Sequence, residues 1–265
     1  MQNLKDLVKE KYGQIANQSA GKNKSSCCGS CSCNDTTVDY TIMADDYQHL
    51  AGYNSEADLG LGCGLPTEFA QIKPGNTVVD LGSGAGNDCF VARAETGETG
   101  RVIGLDFTPA MLEKARKNAA KLGYNNVEFV LGDIENMPLP DNLADVVVSN
   151  CVFNLIPDKR RAFAETYRIL KPGGHMSISD IVLDGELPAD LQKAAEMYAG
   201  CVSGALQKEA YLSIIREAGF KNCVVQKQKS ITIPSEILLQ YLTPQQIALF
   251  NQTIGIYSIT VFAQK

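Results

Sequence analysis

The sequence predicts an α/β fold: a mostly parallel sheet covered by helices on both faces and closed at one edge by antiparallel strands. Three observations predict it. Four short apolar runs, at 77–81, 102–106, 127–130 and 145–148, have the length and density of strands buried on both faces, and each leads into a helical stretch or a turn. A fifth run at 176–182 and one further helix continue the alternation. The pattern then changes to two longer strand-like runs, 224–233 and 256–263, flanking a short helix near 244–250.

Each element has a local reason. Leu4, Leu7, Val8, Tyr12 and Ile15 recur at helical spacing and predict a short amphipathic helix. The polar stretch 17–37 offers little to bury and holds four cysteines. We therefore expect an N-terminal helix and cysteine-rich loop over 1–37 and a single larger domain over 38–265. Thr108-Pro109 reads as a helix cap followed by proline at the first helical position, with Met111, Leu112 and Ala115 behind it. From Asp158 a helix carries Phe163, Tyr167 and Leu170 on one face and stops at Lys171-Pro172-Gly173-Gly174. Tyr211, Leu212, Ile215 and Ala218 mark another, ending at Gly219.

Composition narrows the function. The 265 residues are 45% apolar and 20% charged, with a net charge of −6 and no basic stripe, which argues against a nucleic-acid partner. No apolar run approaches the length of a membrane span, and the first residues lack the apolar core of a secretion signal, so a cytoplasmic protein is expected. Nine cysteines in that compartment should be thiols rather than a disulfide framework.

The chemistry concentrates at strand ends. Asp80-Leu81-Gly82-Ser83-Gly84-Ala85-Gly86 joins the first strand to its helix, and such a turn lets backbone approach a ligand beside the donor-rich helix start. Asp106 ends the next strand, placed to accept hydrogen bonds from ribose hydroxyls, and Asp133 ends the third, where an adenine amino group would be met. Together these stretches resemble the class I S-adenosylmethionine-dependent methyltransferases. The resemblance implies a seven-stranded sheet with an antiparallel edge hairpin. It further implies that Asp80 and the loop residues Gly82, Ser83, Gly84 and Gly86 hold the methionine portion, that Asp106 meets the ribose and that Phe107 is among the cofactor contacts. Met111, Asp133 and Ile134 would meet adenine, and Asn150 joins the cofactor contacts.

The thiols point to the substrate. Cys63 lies in Gly60-Leu61-Gly62-Cys63-Gly64-Leu65-Pro66, a glycine-flanked loop in which we expect an exposed sulfur. Cys151 follows the fourth strand, on the ligand side of such a sheet, and Cys201 lies in Gly200-Cys201-Val202-Ser203-Gly204. Cys89 and Cys223 read as packed thiols. The two histidines, His49 and His175, sit in no catalytic motif. Cys28-x-x-Cys31 has no second ligand pair at zinc-site spacing, which leaves a redox role, delivery of a thiol-bound substrate or metal storage open for that cluster.

Several stretches are similar, in order, to the arsenite methyltransferases: Glu10-Lys11-Tyr12-Gly13 with Cys27-Cys28, Leu61-Gly62-Cys63-Gly64, the glycine loop through Cys89, and Ser149-Asn150-Cys151-Val152-Phe153-Asn154-Leu155. That resemblance implies that Cys63, Cys151 and Cys201 bind trivalent arsenic and that Cys27 or Cys28 serves the redox cycle. It implies S-adenosylmethionine as methyl donor, arsenite and methylated arsenicals as substrates, and a thiol or thioredoxin-type reductant. Leu61 departs from the aromatic residue many members carry there. A methyltransferase of another small molecule, or a soft-metal sequestering protein, remains the competing expectation.

Overall fold

The computed structural model describes residues 4–17, 43–188, 204–239 and 241–265. Seven strands, β1 (Thr77–Leu81), β2 (Arg101–Asp106), β3 (Val127–Leu131), β4 (Ala144–Asn150), β5 (Leu170–Asp184), β6 (Lys221–Ser230) and β7 (Gly255–Gln264), form one sheet of order β3-β2-β1-β4-β5-β7-β6. The first five run parallel, and β7 is antiparallel to both of its neighbours. The antiparallel closure is as expected, and the structure supplies the order: the last strand in the chain inserts between β5 and β6. The residues explain it. β7 carries Ile256, Ile259, Val261 and Ala263, all buried, whereas β6 carries Lys221, Lys227 and Lys229, and lysines suit an edge that must not pair further.

Helices α1 (Leu4–Asn17), α2 (Pro66–Phe69), α3 (Asn87–Thr96), α4 (Pro109–Leu122), α5 (Lys159–Ile169), α6 (Lys208–Glu217), α7 (Ser235–Leu238) and α8 (Pro244–Thr253) surround the sheet. Alternation along β1 divides the core. Val79 and Leu81 face a cluster with Phe163 and Tyr211, while Val78 faces one with Phe90, Met111, Leu112 and Ala115. Ile15 and Ala16 of α1 are buried in the second cluster, so the N-terminal helix packs on the sheet domain.

Two local readings change. Thr108 stands at the cap of α4, but its side chain makes no cap; its backbone N–H instead donates to Asp106 Oδ1 at 2.8 Å. Helix α5 ends at Ile169, so Leu170, expected on its apolar face, instead opens β5 opposite Ala144, and Lys171-Pro172-Gly173-Gly174 continues that strand, with Lys265 pairing to Gly173 and Gly174 through their backbones. Among the described residues, no helix is long and apolar enough to cross a membrane.

Candidate active site

Strand order reverses between β1 and β4, and a cleft of about 1130 Å³, counted to its solvent mouth, opens at the carboxyl ends there. Its wall includes Gly82, Ser83, Gly84, Asp106, Phe107, Met111, Asp133, Ile134, Asn150 and Cys151. Ten of the expected site residues thus meet around one cavity.

The glycine loop is built by its backbone. Gly82 (φ 73°) and Gly84 (φ 51°) occupy the left-handed region, which glycine adopts without steric cost. The Gly82 and Ser83 N–H groups donate to the Leu105 carbonyl at 2.7 and 3.0 Å, and Gly84 N–H donates to Asp106 Oδ2 at 2.9 Å. Burial holds the Asp106 carboxyl above its ordinary range, against the pull of the Thr108 and Gly84 N–H groups. A nucleoside cofactor fits this wall on two counts. Ser83 Oγ is buried with no hydrogen-bond partner among the described residues, and a Cβ at Gly84 would meet nothing within 4 Å.

Two expected cofactor residues lie behind the wall. Asp80 is buried and accepts from Cys89 Sγ at 3.3 Å; burial and the charge of Asp88 push its carboxyl well up. Gly86 (φ 98°) packs where a Cβ would strike Phe90 and Phe129, so its role is close helix packing. Where the cleft wall reaches β3, Asp133 Oδ1 accepts from Glu135 N–H at 3.0 Å, and Oδ2 accepts from Lys5 Nζ at 2.6 Å; Lys5 also pairs with Glu135. Lys5, Val8 and Tyr12 place α1 in the cleft wall. The periodicity marked that helix, but nothing in it marked its place.

The thiol side departs most from expectation. Cys63 is fully buried rather than exposed, in one cluster with Cys151, Ile181 and Leu183. Cys151 lines the cleft with its backbone in the left-handed region (φ 62°), its N–H donating to the Ser179 carbonyl at 2.7 Å. Such a conformation costs a non-glycine residue about 1–2 kcal/mol and is held only where surroundings enforce it. Cys27, Cys28 and Cys201 lie outside the described residues. Cys89 is fully buried, as expected, while Cys223 is half-buried against the core, its thiol pushed up by burial. His175 Nε2 lies 2.6 Å from the Ala70 carbonyl, and His49 is exposed.

Asp88 and Tyr47 also escaped the sequence reading. Asp88, at the start of α3, receives the Tyr47 hydroxyl at 2.9 and 3.0 Å, and burial raises its carboxyl to about 6 despite hydrogen bonds from Tyr47 and Asn150. Asp88 is legible as a third acid beside the loop; Tyr47 had no signal.

Below the thiols, Tyr211 donates to Asp180 Oδ2 at 2.6 Å, and negative charge on Cys63 or Cys151 would hold the Tyr211 proton more firmly. Burial raises Asp180 to about 7, although Tyr211 and Lys159 favour its charged form. Unfolded, the same carboxyl titrates near 3.9. The folded state therefore binds the proton more tightly, and the stability this contributes is full below about pH 4 and lost as pH rises through 7. Asp180→Asn should accordingly gain on the parent in melting temperature between pH 5 and 8. A constant difference across that series would show that Asp180 does not titrate there.

A sheet of this order, with a glycine loop and a strand-end acid at its switch point, defines the class I methyltransferase architecture, and residues 72–219 match the family model of a methyltransferase domain. The arsenite methyltransferase of Halobacterium salinarum is 44% identical over 82% of this chain and 57% of its own length. That of Aquipseudomonas alcaligenes is 32% identical over 90% of this chain and 68% of its own, and the human one 32% over 80% and 57%. Among solved structures, the arsenic(III) S-adenosylmethionine methyltransferase of Chlamydomonas reinhardtii superposes with a TM-score of 0.65 at 36% identity, covering 77% of this chain and 67% of that one. The chain belongs to the arsenite methyltransferase family. It spans between 57% and 68% of the length of these three curated relatives.

Proposed function

We propose that this chain methylates trivalent arsenic held by cysteine thiolates, with S-adenosylmethionine as donor. The observation that carries the reading is Cys151: a strained cysteine in the wall of the cofactor cleft, clustered with a second buried thiol, Cys63. Arsenic(III) is soft, and thiolates are the soft ligands a protein offers. Arsenite exchanges hydroxide for thiolate. At each exchange an As–O bond breaks, an As–S bond forms, and the thiol proton leaves with hydroxide as water. No separate base is needed, which suits a cleft wall without histidine.

Asp106 would hold the ribose, the Gly82–Gly84 backbone the methionine end, and Met111 with Ile134 the adenine. S-adenosylmethionine supplies an electrophilic methyl group on a sulfonium. With Cys63, Cys151 and Cys201 on three sides, the arsenic lone pair is left on the open face to take that methyl. The protein contributes mainly position, which is worth about 7–11 kcal/mol where geometry is well held. Methylation leaves arsenic formally pentavalent. Two thiolates then return an electron pair to it by joining as a disulfide, and an external thiol or thioredoxin-type reductant reopens that bond. Cys27 or Cys28 belongs to this relay, and a cytoplasmic setting, where thiols stay reduced, is part of the proposal.

The deciding experiment is product analysis by mass spectrometry with arsenite, a thiol and labelled S-adenosylmethionine. Methylarsenic carrying the label is the expected result. Label in an organic product, or arsenite bound without S-adenosylhomocysteine formation, would overturn the proposal.

A further inference from the structure

Asn150 ends β4, immediately before Cys151, and its side chain reaches across to the loop that carries Cys63. Its Oδ1 accepts from Cys63 N–H at 3.0 Å and Gly64 N–H at 3.3 Å; its Nδ2 donates to the Gly64 carbonyl at 2.8 Å and to the Tyr47 hydroxyl oxygen at 2.5 Å. A primary amide has two acceptor sites and two donor hydrogens, so these four bonds, with a longer contact from Nδ2 to Asp88 Oδ2 at 3.5 Å, engage every one of them. We propose that Asn150 is a positioning residue that sets the Cys63 loop against Cys151 and is not a cofactor ligand. The proposal rests on the thiolate reading above.

The neighbouring glycines have the same explanation. A Cβ at Gly62 would fall 2.5 Å from Asn150 Nδ2, and one at Gly64 would fall 2.5 Å from Ser179 Oγ. Glycine on both sides of Cys63 thus lets the loop close onto the end of β4 and the neighbouring stretch of β5 and buries the sulfur. Ser258 Oγ donates to the Cys63 carbonyl at 2.5 Å, so both backbone groups of Cys63 are tied. Cys151 is fixed through Ser179, the residue against which Gly64 packs. Tyr47 braces the amide from behind by donating in turn to Asp88. The spacing of the two thiols is therefore set before arsenic arrives, which removes an ordering cost from binding.

Titration of the phosphine-reduced full chain, separately with arsenite and with S-adenosylhomocysteine, tests this by calorimetry. In Asn150→Ala, which removes the side-chain acceptor of the Cys63 and Gly64 N–H groups and the shorter of the two bonds to the Gly64 carbonyl, arsenite affinity should fall at least about tenfold. S-adenosylhomocysteine affinity should stay within about threefold of the parent. Asn150→Asp should behave likewise, since a carboxylate has no hydrogen for the Gly64 carbonyl. Where Asn150→Ala does not give folded protein, Tyr47→Phe, which removes the hydroxyl between Asn150 and Asp88 and its 3.2 Å bond to the Gly64 carbonyl but leaves the amide in place, should show a smaller loss in the same direction. Unchanged arsenite affinity, or an equal loss for both ligands, would overturn the assignment. A parent that binds no arsenite would overturn the thiolate reading itself, and this proposal with it.

Discussion

Cys151→Ser is expected to abolish arsenite methylation, lowering kcat/KM by more than about a thousandfold, or ~4 kcal/mol of transition-state stabilisation. A hydroxyl is a hard ligand and does not replace a thiolate on arsenic, so the lone pair is neither held nor aimed. The variant changes one atom at a buried position, and the fold should survive it. Cys151→Gly provides a second control, because glycine occupies the φ 62° conformation without strain; it should remain folded and be equally inactive. Cys223→Ser, half-buried on the far edge strand, should retain nearly full turnover. Parallel steady-state assays and thermal melts on the three variants check this. Equal loss of activity and of melting temperature in all three would mean that general folding, rather than a thiolate site, explains the result.

Asp106→Ala should weaken S-adenosylmethionine binding by between about tenfold and a hundredfold, ~1.4–2.8 kcal/mol. Two losses combine. The proposed charge-assisted bonds to ribose disappear, and Gly84 N–H and Thr108 N–H lose the carboxylate that holds them at 2.9 and 2.8 Å, loosening the loop itself. Asp106→Asn retains an acceptor but not the charge, so it should fall between the two. Calorimetric titration of the cofactor in the absence of arsenic measures the effect directly. An unchanged dissociation constant for Asp106→Ala would remove Asp106 from the cofactor site.

Much of the site was legible because the information is local. A glycine-rich turn followed by an acid at the next strand end is a pattern of adjacent residues, and the cleft gathers Gly82, Ser83, Gly84, Asp106, Met111 and Asp133 as that pattern requires. Asp80 and Gly86 belong to the same pattern, yet they face inward, because strand alternation and helix packing, not motif membership, decide which side chain meets the cavity. Lys5 and Tyr47 were invisible for the opposite reason: each meets its partners from more than 40 residues away, Asp133 for Lys5 and Asp88 for Tyr47.

The amino-acid sequence by itself determined the strands, the parallel sheet, the loop that can cradle a cofactor, and the set of thiols with a soft ligand's chemistry. Periodicity, turn residues and ligand hardness are properties of residue types and short spacings, and need no third dimension. Tertiary structure alone decided that β7 inserts between β5 and β6, that α1 walls the cleft, and that Cys63 is buried rather than exposed. The glycines beside Cys63 read equally well as freedom or as close approach. Only the arrival of Asn150 and Ser179, from strands distant in the chain, made them close approach, since packing depends on which distant groups the fold brings within contact.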